Sequence, residues 1–207
     1  MLNAEIDFKE QMVEARRRQI LIGASRIFAK KGYHKATTKE IARAAGVAEG
    51  TIYNYFNNKR ELLLAMVAMI ATQGFKNKIL DRPPDDPREF LTLVLQDRYE
   101  VVQNYGHVIA PLVAEMFNDA DLREAIYNEL FKPILVLVEQ YLQNHIDAGR
   151  LKPINPLIIT RTIIGAMIVN TASKLSKLEP RYENVPGDLM IEQIVSLILD
   201  GLLVDEC

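Results

Sequence analysis

The sequence predicts an all-α protein: an N-terminal head of three helices, arranged as a helix-turn-helix, joined to a larger helical body, about nine helices in all. Three observations carry this. Apolar residues recur at helical spacing along nearly all of the 207 residues. Strand-like alternation with hairpin turns is absent, and prolines fall between periodic segments or at their starts.

The first helix is expected from about Lys9 to Lys31, with Ile20, Ala24, Ile27 and Phe28 on one face and Gly32 as its stop. Two short helices follow at about 38–45 and 49–55. A fourth begins after Asn58, where Asn58 and Glu61 have the spacing of a capping box, and its face of Leu62, Met66, Met69 and Ile70 runs to about Lys78. The stretch DRPPDDP at 81–87 is the clearest break, because consecutive prolines cannot continue a helix. Helices at about 87–104, 107–117, 121–148, 156–177 and 187–204 complete the chain, stopped by Gly106, Asn118, Gly149 and the Lys177–Pro186 loop. The head is placed at 1–58 and the body at 59–207.

Hydrophobic residues make up 49% and charged residues 25%, the balance of a folded chain rather than a disordered one. The net charge of −2 hides an asymmetry: residues 1–60 hold 12 Lys/Arg against 6 Asp/Glu, net +6, and the rest hold 13 against 21, net −8. A basic head on an acidic body points to a polyanion-binding end. Cys207 is the only cysteine, so no disulfide can form within the chain. No signal peptide is visible, and uninterrupted apolar runs such as IIGAMIV at 163–169 fall short of the roughly 18 residues that span a bilayer. A cytoplasmic protein without membrane association is expected.

The stretch TTKEIARAAGVAEGTIYNYF at 37–56 concentrates the chemistry. Two helices crossing steeply need a small or positive-φ residue at the corner and an apolar wedge in the elbow. Gly46 supplies the corner, Ile41, Ala42, Ala45 and Val47 the wedge, and Ile52 and Phe56 pin the second helix. Thr37 and Glu40 have capping spacing, and Thr37 or Thr38 can reach a phosphate. Glu49, Gly50, Thr51, Tyr53, Asn54 and Tyr55 are left facing outward, a poor solvent face but a good one for reading nucleic acid. Gly50 weakens its helix and suits close approach of backbone to DNA. Arg16, Arg17, Arg18, Lys30, Lys31, Lys35, Lys39 and Lys59 surround this face and can neutralise phosphates.

The run GYHKATTKEIARAAGVAEGTIYNYFNNKRELL at 32–63 resembles the DNA-binding signature of the tetracycline-repressor (TetR) family of bacterial regulators, with its elements in order and without gaps. The resemblance implies a helical head, a helical ligand-binding body, and a homodimer that leaves a palindromic operator in double-stranded DNA when a small molecule binds. It also implies that Thr38, Gly50, Thr51, Tyr53, Asn54, Tyr55 and Lys59 contact DNA. Two positions depart from the pattern: Ala48 stands where many members have a capping serine, and Tyr55 where histidine is frequent.

In the body, Thr162, Gly165, Val169 and Ala172 form a row of small side chains, and Ile191, Ile194, Val195, Ile198 and Leu202 form a stripe on the last helix. Pairing of these two helices with their symmetry mates is expected, although internal packing would produce the same row. Arg98, Tyr99, Tyr105, His107, Met116, Phe117, Tyr127, Phe131, Met167, Asn170 and Thr171 are candidate lining for an effector cavity, each also suited to plain core packing. Glu115, Asp97 and Glu129 would favour a cationic ligand, Arg98 and Arg161 a carboxylate, and the residues do not choose between them. His34, His107 and His145 are isolated, and no metal-ligand spacing, phosphate loop or nucleophile elbow is present, so neither an enzyme nor a metal or cofactor is expected. The contrasting reading is a DNA-binding or architectural regulator without an effector.

Overall fold

The computed structural model describes residues 2–72, 83–176 and 179–201, leaving aside the side chains of residues 2–7, Thr72, Leu130 and Leu175. Ten helices are found among these residues: α1 (Leu2–Lys35), α2 (Thr38–Ala45), α3 (Glu49–Tyr53), α4 (Lys59–Thr72), α5 (Pro87–Met116), α6 (Ala120–Ile126), α7 (Lys132–Asp147), α8 (Pro156–Ser176), α9 (Pro180–Glu183) and α10 (Gly187–Leu199). A π-helical turn, Tyr127–Phe131, separates α6 from α7. The continuation of α4 towards Lys78, the first two residues of DRPPDDP, and Leu202 lie outside the described residues.

Three expectations are corrected. The segments expected at 87–104 and 107–117 form one helix, because Gly106 in a helix interior costs only about 1 kcal/mol and Val101, Val108 and Leu112 are buried on either side of it. The segment expected as one helix at 121–148 is broken. Pro133 lacks an N–H and its ring crowds the carbonyl four residues back, which accounts for the wider turn at Tyr127–Phe131. The loop expected at Lys177–Pro186 contains the single turn α9, started by Pro180. Gly32 does interrupt α1, at φ 74° and ψ 169°, with a last turn carried on to Lys35.

The chain divides into two compact units, one of Met1–Ala71 with Tyr105–Leu130, the other of Thr72–Asn104 with Phe131–Cys207. In the first, Ile20, Leu21, Ala24 and Phe28 of α1 are buried, as are Ile41 and Ala42 of α2 and Leu62, Leu63, Met66 and Val67 of α4. Within this core α1 and α2 approach closely. A Cβ placed on Gly23 would lie 2.7 Å from the Ala45 Cβ and 2.8 Å from the Ala45 nitrogen. Nothing larger than glycine and alanine fits there.

The second unit is built on Phe90, Leu91, Val94 and Leu95 of α5, Val138 and Leu142 of α7, Ile163 of α8, and Ile191, Val195 and Leu199 of α10. The chain leading into α5 is fastened to α7. The Tyr141 hydroxyl donates to the Pro84 carbonyl at 2.8 Å, His145 Nε2 lies 2.9 Å from the Asp85 carbonyl, and Arg150 pairs with Asp85 at 2.7 Å. Tyr141 stacks on Phe90 with ring centres 3.6 Å apart, and burial pushes its phenol well above the ordinary value.

Gly23→Ala tests the packing of the head. Helix propensity alone would favour alanine by about 1 kcal/mol. The clash is with backbone atoms of Ala45, which cannot move aside, so a net loss of about 1–3 kcal/mol is expected. Thermal unfolding followed by circular dichroism should show a Tm lowered by several degrees.

Candidate nucleic-acid interface

The reading element is assembled from α2 outward. Thr37 caps α2: the Glu40 N–H donates to its hydroxyl at 3.3 Å, and its own N–H donates back to the Glu40 carboxylate at 3.3 Å, a complete capping box. The ion pair with Lys31 and the Thr37 hydrogen bonds hold the Glu40 carboxyl below its usual range. This support is therefore present above about pH 4.5 and is lost as pH falls through the lower folded value. Gly46 ends α2 in the left-handed conformation, φ 67°, and its N–H closes onto Ala42 and Arg43 carbonyls. Gln19 of α1 donates to the Ala45 carbonyl at 2.6 Å, a second partner for the end of α2.

After the corner comes α3, only five residues long. Ala48 stands at its N-cap with no side-chain hydrogen bond, so the capping contribution is missing as expected. Ile52 and Phe56 are buried, and the Arg17 guanidinium lies over the Phe56 ring at 5.4 Å. With those two side chains turned inward, Glu49, Gly50, Tyr53 and Asn54 are exposed and Thr51 and Tyr55 are half-buried; Tyr53 keeps 51% of its surface free. A Cβ on Gly50 would meet nothing within 4 Å. No internal contact therefore requires glycine there, and the free space lies on the outer side of the helix.

Thr38 is not a loose hydroxyl. It donates to the Glu49 carboxylate at 2.8 Å and lies 3.2 Å from the Tyr53 hydroxyl, tying the start of α2 to α3. Lys59 is also committed. Its ammonium donates to the carbonyls of Tyr33, His34 and Ala36 at 2.9, 3.2 and 3.0 Å and sits over the Tyr33 ring. Expected as a phosphate contact, it is instead the group that closes the C-terminal end of α1, where free carbonyls attract a cation. Lys39, Lys30, Lys35 and Arg16 are exposed cations around the same face, as is Arg43, which the sequence reading passed over. Gly23 and Gln19 were also missed, since their partners lie more than twenty residues away in the chain.

The head is fastened inside its unit to the end of α5 and the start of α6. Tyr33 N–H donates to both Glu115 oxygens at 2.9 and 3.2 Å, His34 lies 3.6 Å from Asp119, and Arg60 pairs with Asp121 at 3.7 Å. Below α4, the side chains of Val67, Ile70, Ile109, Leu112, Val113 and Ile126 enclose an aliphatic cavity of about 10 Å³.

The residues expected to line an effector cavity fall in both units. Tyr105, His107, Met116, Phe117 and Tyr127 belong to the first unit, and Arg98, Tyr99, Phe131, Met167, Asn170 and Thr171 to the second. Phe117 is 80% exposed, and His107 and Tyr127 also face outward, while Met167 and Thr171 are buried in helix packing. Arg98 pairs with Asp97, Tyr99 packs against Gly187, and Asn170 accepts from Tyr182.

The expected interface row divides in the same way. Thr162, Val169 and Ala172 are exposed, Gly165 has open space where a side chain would be, and Ile158, Ile168 and Leu157 extend this outer face of α8. Ile191, Ile194 and Val195 of α10 are instead buried in the core of their own unit and Ile198 is half-buried, while Leu189 and Leu197 are the large apolar side chains that α10 leaves exposed, Leu197 by 82%. Over Pro156–Lys174, α8 is long and apolar enough by length and composition to cross a membrane, although only 22% of that stretch is buried in its own unit.

Residues 20–66 match the sequence model of bacterial regulatory proteins of the tetR family. The fatty acid metabolism regulator protein of Bacillus subtilis is 26% identical over 194 residues, which cover 89% of this chain and 94% of that one. The transcriptional regulator TtgR of Pseudomonas putida is 46% identical over 59 residues, 28% of each chain. Among solved structures, FadR from Bacillus subtilis in complex with stearoyl-CoA shares the fold, with a TM-score of 0.75 at 24% identity over 89% of this chain and 98% of that one.

Two substitutions separate surface from scaffold. Gly50→Ala should leave Tm unchanged or raise it, by up to about 1 kcal/mol of helix propensity, while weakening DNA binding measured by fluorescence anisotropy. Lys59→Met should behave oppositely, lowering Tm through about 1–2 kcal/mol of lost charged hydrogen bonding. An unchanged Tm for Lys59→Met would show that the ammonium does not hold the end of α1.

Proposed function

We propose that this chain, which belongs to the tetR family of bacterial regulatory proteins and is a DNA-binding transcriptional regulator, acts as a homodimeric repressor that a long-chain acyl thioester releases from a palindromic operator. The observation that carries the DNA reading is the outer face of α3, held rigid by buried Ile52 and Phe56 while Gly50, Thr51, Tyr53 and Asn54 remain free to enter a major groove. Tyr53 supplies contacts to bases, and Thr51, Asn54 and Tyr55 contacts to bases and backbone. Thr37, Lys39 and the exposed cations Arg16, Arg43 and Lys35 supply the phosphate contacts that set register.

A helix of five residues covers only a few base pairs. Two heads spaced by about one turn of DNA, ~34 Å, supply the missing affinity and specificity. The outer face of α8 with Leu197 of α10 supports that pairing, since an aliphatic face of this length left in water is a liability that a second copy removes. Action on DNA is consistent with a cytoplasmic protein.

Two observations support this effector class, the names of the relatives and the cavity beneath α4. The Bacillus subtilis relatives are named for fatty acid metabolism and for a complex with stearoyl-CoA. The walls of the cavity are wholly aliphatic, the chemistry an alkyl chain needs, and its volume of about 10 Å³ would have to open to admit one. An acyl chain wedged between α4 and the α5–α6 segment displaces α4, and with it the hold of Lys59 on the end of α1. The head is thereby shifted without any contact between effector and DNA.

The test begins with selection of bound duplexes from a random pool by the purified protein. The expected product is a palindrome with two half-sites. Titration of that duplex complex with a long-chain acyl-CoA should release the DNA, while free coenzyme A should not. Enrichment of a single half-site contradicts the dimer, and retention of the complex at saturating acyl-CoA contradicts the effector class and favours an effector-independent regulator.

A further inference from the structure

We propose that Glu49 sets the hydrogen-bond polarity of the reading face: acting through Thr38, it draws the hydroxyl proton of Tyr53 inward, so that α3 presents only acceptors there and selects bases with an exocyclic amino group. This rests on the reading of α2 and α3 as the operator-contacting element. The geometry is a chain of three side chains from two helices. Thr38 Oγ1 donates to Glu49 Oε1 at 2.8 Å, and the Tyr53 hydroxyl lies 3.2 Å from the same Thr38 oxygen.

The direction of each bond follows from counting protons. An ionised carboxylate accepts only, and a threonine hydroxyl has one proton to give. That proton goes to Glu49, so the contact between Tyr53 and Thr38 must run from the tyrosine O–H to the threonine oxygen. The tyrosine hydroxyl also has one proton, and it is now engaged. What Tyr53 and Glu49 turn outward is lone pairs.

This decides what the face can bind. Phosphate oxygens are acceptors, so neither Tyr53 nor Glu49 can hydrogen-bond the DNA backbone in this arrangement, and the carboxylate is repelled by it. In the major groove the donors are cytosine N4 and adenine N6, whereas guanine and thymine offer acceptors at O6 and O4. Every base pair carries one such amino group, on one strand or the other. An acceptor edge therefore discriminates adenine and cytosine from guanine and thymine on the strand it faces. The open space outside Gly50, next to Glu49 in sequence, lets the groove edge come close. Glu49 and Tyr53 are specificity-determining residues in this scheme, and Thr38 is a positioning residue that acts through them.

The experiment is selection from a random-sequence duplex pool with the wild-type chain and the variants Glu49→Gln, Thr38→Val, Thr38→Ser and Tyr53→Phe, each first checked for folding by circular dichroism. The wild type should favour amino over keto bases by about tenfold or more at one position of each half-site. Glu49→Gln keeps the shape but can donate as well as accept, which frees the tyrosine proton, so that preference should fall to within about twofold. Thr38→Val breaks the chain and should do the same, Tyr53→Phe should lose the same position, and Thr38→Ser should keep the wild-type preference. A purely structural role for Thr38 would instead weaken binding at all positions alike. A wild-type palindrome whose amino preference survives in Glu49→Gln or Thr38→Val overturns the inference and leaves the operator-reading function standing. A wild-type selection with no enriched sequence removes both.

Discussion

A helix of five residues cannot hold itself together in water, because nucleation costs more than so few hydrogen bonds return. α3 persists only because Ile52 and Phe56 are buried, and that burial is available only because Gly23 and Ala45 let α1 and α2 approach closely enough to form a floor. Everything the chain presents to DNA depends on this packing. With no N-cap at Ala48, α3 has little local support, so its orientation is a tertiary property.

The polar groups of the head are mostly engaged with one another, and this changes what they can do. Lys59 looks like a surface cation in sequence, yet its three protons meet three carbonyls at the end of α1. Thr38 looks like a phosphate ligand, yet it joins α2 to α3. Glu115, a candidate for a ligand contact by charge alone, joins Asp119 in holding the turn after Gly32 in place. The same few contacts that keep the head rigid also connect it to α4 and to the end of α5, within one compact unit. Rigidity of the reading face therefore rests on bonds to α4 and α5 as well as on its own core.

Much of the head was legible because its signals are local. Capping at Thr37 and Glu40, the left-handed turn at Gly46 and the helical spacing that marks Ile41, Ala42, Ala45, Ile52 and Phe56 as inward-facing each depend on residues within a few positions. The body was legible only as helices. Gly106 was read as a stop although buried neighbours carry α5 through it, and Pro133 was passed over although it breaks the segment at the π-helical turn. The stripe on α10 was assigned to a partner, but an apolar stripe has the same spacing whether it faces its own core or another chain, and Ile191, Ile194 and Val195 face their own.

By itself, then, the sequence determined the all-helical class, the helix-turn-helix, its outward-facing Tyr53 and Asn54, and the basic sign of the surface around them. These follow from periodicity, capping and composition, which act over one or two helical turns. Only the tertiary structure decided which outward groups are free, which carry structural bonds, and which of two apolar helices leaves a face uncovered. Those outcomes turn on contacts such as Lys59 with Tyr33 or Gly23 with Ala45, where partners more than twenty residues apart meet only after the chain has packed.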